Sequence, residues 1–405
     1  MLQRSAGVAL FLCGVLAGCG GGDRTPPGAP ATASPSPPPI ASSSGYLHVL
    51  QHSLVMTYHI DSTGRLQPPV AQDLGQDLYA LAGEPQGRFV YAGRGGSPQA
   101  NGQNVSDLTL VTYAPDPRDG TLAEMSTTTV LPRAQSGFVG WLWVRGGANR
   151  VHALRVRRWG TALRHGTITY LTAAVASDGR LGPVSEKEFE TDSDYGYVLA
   201  DSRSDVLYKG GDTYRRGGLE AHVIEPDGTL SRMGWTNLCL ASAMSQYNPG
   251  IPLVAARGFL FANLQDYEHP PALCSYQGLR LKPLYALDLN ATTADAFVPS
   301  SEDEPALLAM NVRIPTGRGP TRSELRLFAM NRDGDLRPLA REDLQSEIAQ
   351  LQFHPTSRFL YAVDSASALR VYTVDSEGRL ELTMNIDQAG GAMAITLKDV
   401  RAADR

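Results

Sequence analysis

The chain has 405 residues, with 36 Lys and Arg against 41 Asp and Glu, a formal net charge of −5 and 42% hydrophobic residues. An acidic balance of this kind argues against nucleic acid as a partner. No Gly-rich phosphate loop follows a strand and opens a helix, which leaves nucleotide binding unsupported.

In chain order, residues 1–18 read as an export signal rather than structure. Arg4 supplies the charged start, Val8 to Leu16 the apolar stretch and Leu16-Ala17-Gly18-Cys19 the small-residue cleavage region. That stretch is far short of the roughly 20 residues a spanning helix needs. The Leu-Ala-Gly-Cys box resembles the signal of bacterial lipoproteins, which implies lipidation of Cys19 and a lipid anchor to the membrane. An ordinary secretory peptide with an incidental cysteine is the alternative. Gly20-Gly21-Gly22 follows with no Asp beside the cysteine, which by the same resemblance points to the outer membrane, facing the periplasm or the cell surface. Residues 19–44 continue as a Gly/Pro/Ser-rich tether, with seven prolines from Pro26 to Pro39. Such a tract cannot bury a core and stays extended.

From residue 45 to 405 one turn signature recurs. It reads Asp61…Gly64-Arg65-Leu66, Asp116…Gly120-Thr121-Leu122, Asp178-Gly179-Arg180-Leu181, Asp227-Gly228-Thr229-Leu230, Asp333-Gly334-Asp335-Leu336 and Asp375…Gly378-Arg379-Leu380. The glycines are 56, 59, 49, 106 and 44 residues apart. The gap of 106 is two periods, so six visible copies and one silent copy make seven. Apolar, β-branched and aromatic runs precede each turn, the pattern of consecutive antiparallel strands. A period near fifty with several strands per unit predicts an all-β, seven-bladed β-propeller of four-stranded antiparallel blades.

Within each blade the strands are called a to d from the centre outward. The unbroken runs Phe89 to Ala92, Phe259 to Ala262 and Phe359 to Ala362 are predicted as b strands. Leu108 to Tyr113, Thr167 to Ala173, Leu219 to Ile224, Leu281 to Leu287, Leu325 to Met330 and Leu369 to Val374 are predicted as c strands. The silent copy ends near Asp288, where Asn290 to Thr293 stand in place of the Gly turn. Blade one opens on a b-like strand, Tyr46 to Leu50, and the chain ends in an orphan strand, Ala392 to Leu397. The economical solution has the C-terminal strand complete blade one and close the ring, which removes exposed edges.

Pro355-Thr356-Ser357-Arg358-Phe359-Leu360-Tyr361-Ala362-Val363, with Val371 to Asp375 and Gly378-Arg379-Leu380, resembles the repeat of the seven-bladed β-propeller lactonase family, which includes 6-phosphogluconolactonases. The resemblance implies the fold. It also raises an enzyme that hydrolyses or isomerises a lactone-type sugar acid at the central channel. The family's Pro-His and Gly-Pro-Arg-His elements fall on Gln135 to Gly147 and Asn248 to Arg257, and neither stretch matches. His354-Pro355 sits at a turn and reads as structural. No catalytic residue is assigned.

Five b–c connections are long: Gly93 to Asp107, Arg157 to Gly166, Gly210 to Gly218, Leu264 to Gly278 and Arg313 to Ser323. Connections of one type emerge on one face, and elaborated loops on a rigid scaffold are where binding resides. They carry Arg94, Arg157, Arg158, Arg164, Arg215, Arg216, Arg313, Arg318 and Arg322 against four acids, with Trp159, Tyr214, Tyr267 and Tyr276 as aromatic surface. Arginine forks suit carboxylate or phosphate, and aromatic faces suit sugar rings. The expected ligand is an anionic glycan, a lipid headgroup or an envelope protein, with Arg157, Arg158, Trp159, Arg164, Tyr214, Arg215, Arg216, Tyr267 and Arg318 as contacts. Arginine carried only for solubility is the alternative.

Cys239 and Cys274 remain once Cys13 and Cys19 are set aside. In an exported protein they are expected to bridge, closing a loop worth about 3–4 kcal/mol, with a free buried pair as the alternative. Two cysteines at this spacing make no metal site, and Asp192, Asp194, Asp201 and Asp205 lack the spacing of a calcium loop. His165 near Arg164 and His269 near Glu268 read as exposed loop residues. No cofactor is implied.

Overall fold

The computed structural model describes residues 45–397 apart from 52–53, 76–77, 96–106, 132–138, 147–148, 159–165, 192–197, 202–203, 211–218, 237–249, 265–270, 315–321 and 357. The expected signal, Cys19 and the tether lie outside the described residues. Among the described residues twenty-eight strands form seven antiparallel sheets of four.

Blade one holds β1 (Gly45–Gln51), β2 (Leu54–Ile60) and β3 (Val70–Asp73). Blade two is β4 (Leu78–Gly83), β5 (Val90–Arg94), β6 (Leu108–Pro115) and β7 (Leu122–Leu131). Blade three is β8 (Val139–Gly146), β9 (Arg150–Arg158), β10 (Gly166–Val175) and β11 (Leu181–Thr191). Blade four is β12 (Val198–Ala200), β13 (Val206–Gly210), β14 (Leu219–Ile224) and β15 (Leu230–Thr236). Blade five is β16 (Gly250–Ala256), β17 (Phe259–Leu264), β18 (Ala272–Gln277) and β19 (Lys282–Leu287). Blade six is β20 (Asn290–Phe297), β21 (Ala306–Ile314), β22 (Arg322–Met330) and β23 (Leu336–Leu344). Blade seven is β24 (Ile348–Phe353), β25 (Phe359–Asp364), β26 (Leu369–Val374) and β27 (Leu380–Ile386). Finally β28 (Met393–Leu397) returns to blade one as its innermost strand, in the order β28-β1-β2-β3.

The ring is therefore closed by pairing β28 to β1, from Gly45 opposite Leu397 to Val49 opposite Met393. His48 reinforces the closure from inside the sheet. It is fully buried, and its two ring nitrogens bond Thr57 Oγ1 on β2 at 3.0 Å and Thr396 Oγ1 on β28 at 2.9 Å.

The unbroken apolar runs exist because a propeller blade is covered on both faces. Every residue of β25 is buried. Among the described residues the buried apolar side chains fall into seven clusters, and each cluster joins one blade to the next around the ring. Leu47 and Tyr58 of blade one pack with Tyr361 and Val371 of blade seven, while Phe261 of blade five packs with Leu308 and Met310 of blade six. Stability is thus divided over seven interfaces, the arrangement expected of a repeat protein.

The Asp…Gly signature is the c–d turn. In blade one, Asp61 Oδ1 accepts hydrogen bonds from the backbone N–H of Thr63 at 2.8 Å and of Arg65 at 3.0 Å. Gly64, with φ at 79°, takes the left-handed position. Blade five departs from the sequence expectation. Its c strand is β18, and the run Leu281 to Leu287 predicted for c is instead the outer strand β19. The turn is Gly278 to Leu281, so the copy is altered rather than lost, and Asn290 to Thr293 open the inner strand of blade six.

Candidate functional site

Four antiparallel strands per blade put the a–b and c–d turns at one end of every sheet and the b–c and d–a connections at the other. Four of the five long b–c connections predicted from sequence do join second to third strands, between β5 and β6, β9 and β10, β13 and β14, and β21 and β22, whereas the range Leu264 to Gly278 predicted for blade five takes in the third strand β18 itself. They share one end of the ring.

The arginine excess expected there is smaller than the sequence suggests. Arg94 ends β5 and bonds Glu124 on β7 at 3.0 Å. Arg313, on β21, forks onto Glu347 with Nε and Nη2 at 3.0 and 2.8 Å from its two carboxylate oxygens. Arg322 opens β22 and bonds Asp343 on β23 at 2.9 Å. Each is answered by an acid that lies outside the b–c connections. Arg157 and Arg158 are strand residues of β9 rather than loop residues. Trp159, Arg164, Tyr214, Arg215, Arg216, Tyr267 and Arg318 lie outside the described residues.

Two further expectations change. Tyr276 is not aromatic surface: it belongs to β18 and is buried between blades four and five. Cys274 likewise lies in β18 rather than in a loop, and is fully buried. It is disulfide-bonded, and its expected partner, Cys239, falls outside the described residues.

The centre of the ring holds a cavity of about 760 Å³, lined by the inner strands β4, β16, β20, β24 and β28 and by the β25–β26 connection. Its wall is uneven. Blades six and seven supply Thr293 and Asp295 from β20 and Gln350 and Gln352 from β24, whereas β4, β16 and the segment leading into β28 contribute small residues such as Ala82, Ala255 and Ala392. Alternation makes this so: Leu351 and Phe353 point into the blade core, which turns the glutamines toward the channel. Asp295 ties the two strands together, its Oδ2 accepting the Phe353 N–H at 2.7 Å.

Charged groups at the cavity ends are paired. At the a–b end Glu84 is buried, and Arg88 Nε donates to its Oε2 at 2.9 Å. Burial still holds the Glu84 carboxyl above its ordinary range, against the opposing pull of Arg88. At the other end Asp364 accepts from Arg370 at 3.3 Å and from the N–H groups of Ala366 and Ala368 at 3.0 and 2.9 Å. His354 lies at the a–b turn expected for it. It is fully buried, with Nδ1 accepting the Thr356 N–H at 3.3 Å, and burial lowers its pKa to about 4. No described residue of the lining is a lysine or an arginine. No cluster of three or more metal-ligating side chains occurs among the described residues.

No family model and no curated protein matches the sequence. Solved structures do resemble the fold. The periplasmic gluconolactonase of Pseudomonas aeruginosa superposes with a TM-score of 0.57 at 17% identity, over 88% of this chain and 99% of that one. A protein from Lactobacillus plantarum gives a TM-score of 0.51 at 13% identity, over 87% of this chain and 99% of that one. Both likenesses run almost the full length of the neighbour, and what they show is a shared seven-bladed fold.

Proposed function

We propose that this protein is an exported cell-envelope lipoprotein whose propeller takes a small lactone-type sugar in its central channel and opens it to the acid. The observation that carries the reading is the channel itself: about 760 Å³, the size of a small-molecule site, with its polar groups gathered on one wall. Support also comes from the fold shared with a periplasmic gluconolactonase. In the reaction, water adds to the lactone carbonyl and the ring C–O bond breaks; one of water's protons passes to the ring oxygen, which leaves as a hydroxyl, and the other is released as the carboxylate forms. Asp295 is the carboxylate placed on the polar wall, and we assign it the acceptance of the proton from water.

The test is acid release from glucono-1,5-lactone by the mature protein, measured above the spontaneous rate. Catalysis that falls at least a hundredfold in Asp295→Asn, with the fold intact, supports the reading. Release no faster than in buffer, or undiminished in the variant, overturns it. The lipid anchor has its own test, because Cys19→Ser should move the protein from the membrane fraction to the soluble one. A ligand held at the rim formed by the long b–c connections stays as the second reading, favoured by their shared position at one end of the ring.

A further inference from the structure

The two glutamines of β24 differ in a way that singles out one of them. Gln350 is used by the fold: its Nε2 donates to the Met393 carbonyl at 3.2 Å and its Oε1 accepts the Met393 N–H at 3.0 Å, which staples blade seven to blade one. Gln352, two residues on and lining the same cavity, has a buried Oε1 with no hydrogen-bond partner. An amide oxygen left so is costly, and a ligand donor that reaches it recovers that cost. Its strand is held still, because the adjacent Phe353 N–H is fixed by Asp295 and the adjacent Leu351 is packed in the core.

The charge of the lining restricts what that donor belongs to. The described wall offers amides, hydroxyls and carboxylates, but no lysine or arginine, and its one histidine is held neutral by burial. A carboxylate or phosphate entering this channel meets no cation among the described residues of its wall and faces Asp295. Resting on the channel reading above, we infer that the channel selects a neutral, hydroxylated ring and reads one of its hydroxyl hydrogens through Gln352 Oε1. Sugar acids and sugar phosphates are excluded by charge. A lactone meets this requirement and its ring-opened carboxylate does not, so opening the ring also drives the product out.

The test uses 1,5-anhydro-D-glucitol, a neutral ring polyol with no bond to hydrolyse, and gluconate, in calorimetric titrations of the mature protein and of Gln352→Leu. The expected result is binding of the polyol, gluconate at least tenfold weaker, and at least tenfold loss of polyol affinity in the variant. Without ligand the variant should melt at or above the wild-type temperature, since the substitution removes an unsatisfied polar atom. Wild-type affinity in Gln352→Leu, or gluconate bound as tightly as the polyol, overturns the inference and leaves the channel reading standing. A clear fall in the ligand-free melting temperature also overturns it, by showing that the protein itself engages the amide. A wild type that binds neither the polyol nor glucono-1,5-lactone brings down both.

Discussion

Gly64 in the c–d turn of blade one lies directly against the ring of Phe359, which opens β25 of blade seven. A Cβ built on Gly64 would sit 2.4 to 2.7 Å from three atoms of that ring. The pattern recurs: Gly120 meets Tyr46, Gly179 meets Phe89 and Gly334 meets Phe259, each in the preceding blade. The glycine of the signature therefore serves the blade interface as well as its own turn. Gly64→Ala should cost about 2–3 kcal/mol, part from the left-handed backbone and part from the ring contact. Gly75→Ala is the control, because Gly75 has φ of 94° but nothing within 4 Å of its would-be Cβ. Equal losses for the two in urea unfolding would remove the interface contribution.

Blade five, with its altered turn, exchanges the partners of this contact. Gly234 on β15 of blade four is where the Leu279–Arg280 backbone comes down, and a Cβ there would lie 2.1 Å from the Leu279 carbonyl oxygen. Gly278 in the turn itself faces open space. Gly234→Ala should thus destabilise more than Gly278→Ala, by about 1 kcal/mol or more, even though Gly278 alone of the two has a positive φ. Thermal melts of the two variants decide it.

Ring closure should fail in acid through His48. Burial pushes its pKa from 6.5 down to about 3, so the folded protein keeps the imidazole neutral while the unfolded chain takes up a proton below pH 6.5. Stability is then undiminished above that pH and falls as the pH drops from 6.5 toward 3, with a limiting slope of about 1.4 kcal/mol per pH unit for one proton. His354, lowered to about 4, acts in the same direction. His48→Gln removes one proton from the linkage. Its unfolding free energy should lose that much slope between pH 6 and 4, and an unchanged slope would refute the assignment.

The Glu84–Arg88 pair at the a–b end of the channel is a structural pair. Arg88→Leu would leave a buried carboxylate whose pKa burial already raises, and should cost about 3–5 kcal/mol. Replacing both residues, with Glu84→Gln and Arg88→Leu together, should recover most of that loss. A double variant as unstable as the single one would show that the guanidinium, and not the stranded carboxylate, carries the effect.

What was legible in the sequence is what repeats. The Asp…Gly turns and the runs such as Phe359 to Val363 carry blade number, strand order and ring closure, because alternation and turn chemistry act over a few neighbouring residues. Blade five departs from the sequence pattern for the same reason: its turn keeps Gly278 but lacks the Asp, and the glycine that accommodates it, Gly234, lies in another blade. The lining of the channel was not legible. Thr293 and Asp295 are far from Gln352 in the chain, in strands with no motif, and Gln350 and Gln352 look alike until Met393 is seen to occupy only the first. Nor does sequence show that Arg94, Arg313 and Arg322 are neutralised, since their partners Glu124, Glu347 and Asp343 arrive from other strands and connections. Local periodicity determined the architecture, whereas the pairing of charges and the satisfaction of polar atoms depend on distances that exist only once the ring has closed.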